Sequence, residues 1–308
     1  MLQIMGIVVI GTTFVDVKGY PSGEYVPNGR NAGRVIEVHG GVTRNIAEDI
    51  ANVGLAPTYV SVVDESGLSD DLVARLARSG CNTDYIGRAQ GGLGMWLAIF
   101  DETGEVAGSI SRRPDTSEIE RILAEKGDEI ISQADSVCIE LDIDAPILER
   151  TLALAQRHGA RVYAPVTNID AACERRDLLG KVSCLVCNQQ EAGVLFSEEL
   201  DDASPEEVLA ILPDKLAQIG LHSIVVTMGA QGSVFAQMNG SSGWCPAHEC
   251  QVVDTTGAGD AFFAGVAIGL TYGKDLAQSC EIGAKLAASA IAGEDNVCGR
   301  FTCEELGL

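Results

Sequence analysis

The chain has 308 residues, of which 46% are hydrophobic and 35 are glycine, so it can bury a large core and is neither disordered nor fibrous. Its 44 acidic and 21 basic residues give a formal net charge of −23 at pH 7. Nucleic acid and anionic membranes would be repelled by most of such a surface, so neither is expected as a partner. The charge is equally typical of a solvated acidic surface that only keeps the protein soluble.

The first residues and the cysteines predict a cytoplasmic protein. The start, "MLQIMGIVVIG", has no basic leader or obvious cleavage site and is interpreted as the first core strand. No apolar run approaches the length of a membrane helix. Ten cysteines without a secretion signal indicate reduced thiols. Cys184 and Cys187 form a C-x-x-C on a predicted strand, where positions three apart point to opposite faces, so no shared metal is expected.

Short β-branched runs alternate with helical patterns along the chain, which predicts βαβ units and a mostly parallel sheet. The predicted strands are 6–11, 59–63, 136–141, 161–166, 183–188 and 223–229. The predicted helices are 42–54, 69–80, 145–158, 205–219 and 261–270. The first of these ends at Gly54, and Ser69 is expected to cap the second. The pattern therefore favours an α/β fold.

Two segments interrupt this alternation. Residues 17–39 are rich in Gly, Pro and Asn and have no helical period, and residues 91–113 read as a hairpin that turns near "DETGE". Together they could form a small β-lid that closes a site against water. Ordinary surface excursions explain the same pattern.

The segment "VVDTTGAGDAFFAG" (252–265) predicts a strand, a glycine loop and a buried helix. Gly257 and Gly259 leave backbone N–H groups free at the start of that helix, where the helix dipole also attracts an anion. Asp260 in the first turn can be a simple helix cap, but beside an anion site it can also act as general base for phosphoryl transfer. The glycines match neither a P-loop nor a dinucleotide fingerprint, which argues against a nicotinamide-dependent dehydrogenase.

Four segments, in this order, resemble the ribokinase-like, or PfkB, carbohydrate and nucleoside kinases. They are "GGVTRNIAEDIANVG" (40–54), "NQQE" (188–191), "VTMGAQGS" (226–233) and "DTTGAGDAFFAG" (254–265). The resemblance spans essentially the whole chain. It implies one domain over 1–308, with a three-layer α/β/α, doubly wound, mostly parallel sheet of roughly eight to nine strands. It also implies that 17–39 and 91–113 form the β-lid of that family.

The resemblance also implies the roles of individual residues around the transferred group. Asp260 matches the catalytic base, and the backbone of 257–259 matches the anion hole for the γ-phosphoryl group, which consists of Gly257, Ala258 and Gly259. The positions that match those holding sugar hydroxyls are Asp16, Gly40, Gly41 and Asn45. A carboxylate and an amide suit vicinal hydroxyls, although Asn45 could equally be a solvated helix residue.

The implied cofactors are ATP, Mg²⁺ and a monovalent cation, usually potassium. The positions that match the nucleotide site are Thr227, Gly229, Gly232 and Thr255. Asn188 and Glu191 match residues that organise magnesium and its waters indirectly. Asp254 and Thr256 match the monovalent cation site.

The N-terminal third resembles the pseudouridine kinases of this family, which implies pseudouridine as the acceptor. A sugar or phosphosugar kinase is the alternative, because Arg112 and Arg113 could bind a phosphate on the acceptor or could be merely solvated. A non-catalytic nucleotide or sugar sensor is the second alternative, although a lost base would be expected there. Many relatives dimerise through the lid, and "MWLAIF" (95–100) could either form such a homodimer interface or cover the site.

Overall fold

The computed structural model describes residues 6–293 and 295–308. Its strands are β1 (Ile7–Ile10), β2 (Phe14–Pro21), β3 (Gly33–Gly40), β4 (Thr58–Val63), β5 (Ile86–Arg88), β6 (Gly94–Phe100), β7 (Val106–Arg112), β8 (Ser136–Ile139), β9 (Arg161–Pro165), β10 (Cys184–Asn188), β11 (Ser223–Thr227), β12 (Ser233–Gln237) and β13 (Ser242–Cys245). Its α-helices are α1 (Val42–Asn52), α2 (Gly67–Ser79), α3 (Ser117–Ile131), α4 (Ala145–His158), α5 (Ile169–Glu174), α6 (Arg176–Leu179), α7 (Gln189–Phe196), α8 (Pro205–Ile219), α9 (Ala258–Thr271) and α10 (Leu276–Ile291). None of these helices is long and apolar enough to cross a membrane.

The main sheet has nine strands in the order β13-β12-β11-β10-β9-β8-β1-β4-β5. Strands β11 to β5 pair in parallel, and β12 and β13 add an antiparallel edge. Parallel crossovers place helices on both faces, and the strands bury both faces in two separate cores. In β1, Val8 and Ile10 enter one core, whereas Ile7 and Val9 enter the other. The predicted α/β fold is therefore confirmed, with α3, α4 and α8 on one side of the sheet and α1, α9 and α10 on the other.

The ends of several elements differ from the sequence prediction. Helix α2 begins at Gly67, and its cap is Ser66, whose side chain accepts a hydrogen bond from the Ser69 N–H. The prediction that Ser69 caps this helix was wrong, because Gly67, a poor helix former, obscured the first turn. Cys184 and Cys187 lie on β10 in opposite cores, as predicted.

Segments 17–39 and 91–113 supply most of a second sheet of four strands in the order β3-β2-β6-β7. Strand β2 pairs in parallel with β6, and both outer pairs are antiparallel. Residues that pair across all the strands of this sheet form what is here called a register row. In one register row Asp16 lies between Val38 and Trp96, and Trp96 pairs with Ser111. Partners in register share a face of a sheet, so this row presents a carboxylate, an indole and a hydroxyl together.

Candidate active site

Helix α9 begins without a side-chain cap. Its N-cap residue is Gly257, which has a left-handed backbone with φ +82°. The Ala258 N–H donates to the Thr255 carbonyl oxygen at 3.3 Å. Within the part of the chain that the structure describes, the N–H groups of Gly257 and Gly259 have no hydrogen-bond acceptor. The predicted anion hole thus has two free N–H groups, at Gly257 and Gly259, at the positive end of the helix dipole.

The two glycines of this turn have different surroundings. A Cβ at Gly257 would lie 2.1 Å from the carbonyl oxygen of Asn296, so no side chain fits there. A Cβ at Gly259 would meet no atom within 4 Å. The backbone at Gly259 is therefore open to a ligand.

Asp260 occupies the first turn of α9, and its Oδ2 accepts a hydrogen bond from Asn45 Nδ2 at 2.7 Å. Burial raises the pKa of Asp260 to about 7, whereas the Asn45 hydrogen bond and the charge of Arg44 oppose this rise. A carboxyl with a pKa near neutrality is suited to accept a proton from a hydroxyl. The pair brings together residues 215 positions apart in the chain.

Asp260 lines a cavity of ≈ 600 Å³ between the main sheet and the four-stranded sheet, here called the Asp260 cavity. Of the predicted residues it also contains Asp16, Gly41, Asn45 and Thr256. Gly40 packs against Asp16, because a Cβ there would lie 2.6 Å from the Asp16 carboxylate. Burial raises the pKa of Asp16, although the charges of Lys18 and Arg44 oppose the rise. The structure therefore gathers all four residues of the predicted sugar site.

Further polar residues of this cavity were missed by the sequence analysis. Glu140 follows β8, and its Oε1 accepts hydrogen bonds from the Thr12 N–H and hydroxyl, both at 2.7 Å. Burial raises the pKa of Glu140 to about 8, and the charge of Asp142 adds to the rise. The predicted strand 136–141 included Glu140, but β8 ends at Ile139. A search for carboxylates after parallel strands would have found it, because ligands bind at the carboxyl edge of such sheets.

Asp142 and Asp144 lie in the same cavity. Asp142 accepts hydrogen bonds from Thr167 at 2.5 Å and from Arg113 at 2.6 Å. Asp144 accepts a hydrogen bond from Thr116. Arg112, outside this lining, donates to the Leu93 carbonyl oxygen at 3.1 Å. Arg113 is thus neutralised by Asp142, which disfavours its use by an anionic acceptor.

A second cavity of ≈ 570 Å³, here called the Thr227 cavity, lies on the other side of the start of α9. The predicted nucleotide residues that line it are Thr227, Gly229, Gly232 and Thr255. Ala258 and Gly259 belong to the same lining, together with Phe262 and three alanines of α10, Ala284, Ala287 and Ala288. The first turn of α9 therefore separates the two cavities and contributes to both.

Asn188 and Glu191 lie outside the lining of this cavity, and Glu191 lines a separate cavity along α7. Glu191 Oε2 accepts from the Asn188 N–H at 2.7 Å, and the Asn188 side chain accepts from the Glu191 N–H at 2.8 Å. This capping box starts α7. Asn188 is in register with Thr227 on the neighbouring strand. Because Thr227 lines the cavity, Asn188 is one strand away from it.

Asp254 and Thr256 form a local turn before α9. Asp254 Oδ1 accepts from the Thr256 N–H at 2.9 Å and from its hydroxyl at 2.8 Å. Burial alone would raise the pKa of Asp254, but these hydrogen bonds, together with the charge of Lys18 and the Thr255 N–H, outweigh it and lower the pKa. The carboxylate therefore stays charged. Within residues 6–293 and 295–308, no three His, Cys, Asp or Glu side chains group to hold a metal ion.

Known proteins resemble this chain along nearly its full length. A family model described as pfkB family carbohydrate kinase matches residues 5–295. Guanosine-inosine kinase of Exiguobacterium acetylicum is 30% identical over 292 residues, which cover 94% of this chain and 95% of that protein. Pseudouridine kinase of Escherichia coli (strain K12) is 29% identical over 292 residues, with coverage of 94% and 91%.

The fold of the chain is also that of solved ribokinase structures. A structure of Arabidopsis thaliana ribokinase complexed with ribose and ATP superposes with a TM-score of 0.83 and 19% identity, and the match covers 97% of each chain. The family resemblance and the ribokinase-like fold predicted from the sequence are confirmed. The chain belongs to the pfkB family of carbohydrate kinases and is a phosphotransferase that uses an alcohol group as acceptor.

Proposed function

We propose that this kinase transfers the γ-phosphoryl group of ATP to the 5′-hydroxyl of a nucleoside. The observation that carries the proposal is the position of Asp260 and Gly259 in one helical turn, where Asp260 lines one cavity and Gly259 lines the other. A nucleoside in the Asp260 cavity and ATP in the Thr227 cavity would meet at the free N–H groups of α9. This arrangement suits an in-line transfer between two bound substrates.

Asp260 takes the proton of the acceptor hydroxyl. As the acceptor oxygen forms its bond to the γ-phosphorus, the bond to the β–γ bridging oxygen breaks and ADP leaves. The N–H groups of Gly257 and Gly259 donate to the γ-phosphoryl oxygens, on which negative charge develops. Asp16, Asn45 and the backbone at Gly41 hold the sugar hydroxyls.

Two cations complete this proposal. Glu191 keeps Oε1 for waters of Mg²⁺, since Oε2 is used in the capping box. An indirect role suits a cation that retains several waters and binds substrate phosphates. When bound, Mg²⁺ neutralises charge on the phosphates. The charged Asp254 and the neighbouring Thr256 are suited to hold potassium beside the anion site.

The first candidate acceptor is pseudouridine, because the sequence pattern of residues 40–51 resembles that of pseudouridine kinases. Guanosine or inosine is the second, since the guanosine-inosine kinase is similar over the same 292 residues. Each of these bases carries a ring N–H group, and the Asp142 and Asp144 carboxylates can accept hydrogen bonds from such groups. Adenosine has no ring N–H group to offer. The acidic cavity also argues against phosphosugars.

ADP release with Mg-ATP and potassium tests the acceptor. The panel is pseudouridine, uridine, guanosine, inosine, adenosine, ribose, fructose and fructose 6-phosphate. We expect kcat/KM to be highest for a nucleoside with a ring N–H group, and at least about tenfold lower for adenosine, because an unmatched buried polar group is costly. Preference for a free or phosphorylated sugar would refute the nucleoside assignment and leave the kinase chemistry intact.

Asp260→Asn tests the base. The variant keeps the size of the side chain but cannot accept the proton, so turnover should fall about a hundredfold or more while ATP binding is retained. Turnover is measured by ADP release and binding by calorimetry. Asp202→Asn, at an exposed position, is the control. Turnover near the wild-type value in Asp260→Asn would exclude this role.

The four-stranded sheet is proposed to act as a lid and as a homodimer interface. Its face opposite Asp16 carries apolar side chains in two adjacent register rows, which are Val17, Leu97 and Ile110 in the first and Val35 and Ile99 in the second. Four of the five are exposed. An exposed apolar patch of this kind is typical of a protein interface.

The cytosol is proposed as the compartment. Each of the ten cysteines is a free thiol in the structure. Burial raises the pKa of Cys81 and of Cys184 to about 12, which keeps these thiols unreactive.

A further inference from the structure

Arg44 is a buried charged residue for which the proposed chemistry has no assigned role. Its side chain is 0% exposed, although it lies on α1 next to Asn45. Nη2 forms an ion pair with Glu48. Nη1 donates to Asn45 Oδ1 at 2.6 Å, and also lies 3.3 Å from both the His39 carbonyl oxygen and Asn296 Oδ1.

These contacts determine the orientation of the Asn45 amide. A guanidinium has only donors, so Asn45 must turn its oxygen towards Arg44. The amide nitrogen then points to Asp260 and donates at 2.7 Å. If the amide were reversed, its oxygen would face the carboxylate, and the two acceptors would repel each other unless Asp260 were protonated.

We propose that Arg44 is a positioning residue for the catalytic base: it fixes the Asn45 amide so that Asp260 is held in place, ionised, with its second oxygen free for the acceptor hydroxyl. The inference rests on the proposed function of Asp260. Within the described part of the chain, Asp260 Oδ1 accepts no hydrogen bond. Hydrogen bonds thus connect Glu48 to Arg44, Arg44 to Asn45, and Asn45 to Asp260, from the interior of the protein to the site.

Charged residues near this hydrogen-bond network shift the pKa of Asp260. The positive charge of Arg44 lowers the pKa of Asp260, whereas the charge of Asp16 on β2 raises it. The charge of Asp260 in turn raises the pKa of Asp49 on α1. Loss of the Arg44 charge removes one of the two influences that lower the pKa of Asp260, the other being the Asn45 hydrogen bond, so this pKa must move further up.

Arg44 can be replaced without leaving the buried charge of Glu48 unpaired. Glu48 also accepts from Arg75 Nε at 2.7 Å, so the glutamate keeps a cationic partner when Arg44 is replaced. The other titratable groups near Arg44 are His39, Tyr59, Arg75 and Cys81. Removal of Arg44 therefore leaves Glu48 paired and affects the Asn45 amide, Asp260 and the weaker contacts with His39 and Asn296.

The test compares Arg44→Met, Arg44→Lys and the control Arg121→Met, whose arginine is on the exposed side of α3. In Arg44→Met we expect kcat to fall about tenfold or more, and the acidic limb of its pH profile to move up by about half a pH unit or more. In Arg44→Lys the limb should stay near the wild-type position, but kcat should remain about tenfold low, because one ammonium cannot replace the fork that spans Glu48 and Asn45. KM for ATP should change in neither variant.

A merely structural arginine would give different results. It would lower the melting temperature without moving the acidic limb or the kcat of the folded fraction, and that outcome overturns the proposal. If Arg44→Met does not fold, a wild-type kcat in Arg44→Lys overturns it.

A second measurement separates this inference from the kinase assignment. Carbon-13 NMR titration of the aspartate carboxyl groups, with Asp260→Asn to identify the signal, reports the pKa of Asp260 without turnover. A higher pKa in Arg44→Met supports the inference even if no acceptor is phosphorylated, and an unchanged pKa refutes it. Absence of turnover in the wild-type protein would instead count against the proposed function.

Discussion

Two carboxyl groups in the Asp260 cavity have pKa values near the physiological range. Burial raises the pKa of Asp260 to about 7 and that of Glu140 to about 8. A general base accepts a proton only when it is ionised. Activity should therefore depend on the ionisation of Asp260 close to neutral pH.

The first prediction at this scale concerns pH. At saturating substrates kcat should be constant above about pH 7 to 8 and fall about tenfold for each pH unit below about 7, because the ionised fraction of Asp260 falls in that proportion. The measurement is ADP release from pH 5 to 9 at constant ionic strength. A kcat that is unchanged down to pH 5 would contradict Asp260 as the base.

The second prediction concerns Asp49, which is fully buried in α1. Its Oδ1 accepts from the Cys298 N–H at 2.6 Å, and its Oδ2 has no partner in the described part of the chain. Burial raises the pKa of Asp49 well above its usual value, so the folded protein binds this proton more tightly than the unfolded chain does. The contribution of Asp49 to stability is therefore present below its unfolded pKa of about 4 and is lost as pH rises towards the folded pKa.

Asp49→Asn should raise the melting temperature at pH 8 more than at pH 5. Asparagine keeps an acceptor for Cys298 and carries no charge to bury. Thermal melts of the wild type and the variant at the two pH values measure the difference, with Asp202→Asn as an exposed control. A larger stabilisation at pH 5 than at pH 8 would contradict the assigned direction.

At the scale of elements, the start of α9 depends on one backbone conformation. Gly257 has φ +82° and its Cβ position is blocked by Asn296, whereas Gly273 just beyond the other end of α9 has φ +76° and open space around it. Gly273→Ala should therefore cost only the backbone strain, about 1 kcal/mol. Gly257→Ala must also displace Asn296 and distort the anion site.

The resulting prediction compares the two substitutions. Gly257→Ala should lower kcat/KM for ATP about a hundredfold or more, since two N–H donors lose their positions. Gly273→Ala should keep turnover near the wild-type value and lower the melting temperature by a few degrees. Steady-state kinetics and thermal melts are the measurements. Equal losses of activity in both variants would indicate general destabilisation.

At the scale of the whole molecule, the four-stranded sheet covers the Asp260 cavity with one face and exposes apolar residues on the other. Ile110 and Val35 are 70% and 69% exposed on that outer face. We expect Ile110→Lys to convert a dimer into a monomer, because the dimer interface would bury the lysine without a partner for its charge. Sedimentation velocity of the wild type and the variant measures the change.

The control for this prediction is Val194→Lys. Val194 is 52% exposed on α7, away from the four-stranded sheet, so its substitution should leave the oligomeric state unchanged. A wild-type protein that is monomeric at all concentrations would refute the homodimer.

Local sequence signals predicted the helices whose ends are marked by capping residues. Helices α4 and α8 were predicted with the bounds observed, 145–158 and 205–219, and each ends at a left-handed glycine, Gly159 or Gly220. The glycine loop before α9 likewise predicted an anion site from residues adjacent in the chain. Such features depend on neighbouring backbone groups, which are readable in order along the sequence.

Only the tertiary structure decided what surrounds Asp260. The pattern of α1 predicts a buried face at Ile46, Ile50 and Val53, yet Arg44 and Glu48 are buried as well, because residues 296–298 and the neighbouring helices enclose α1. Glu140 reaches the cavity because β8 ends one residue before it. Burial and partnership of charged residues arise from segments distant in the chain, so spacing alone points to Asp260 as the proposed base but not to Arg44 as its proposed positioning residue.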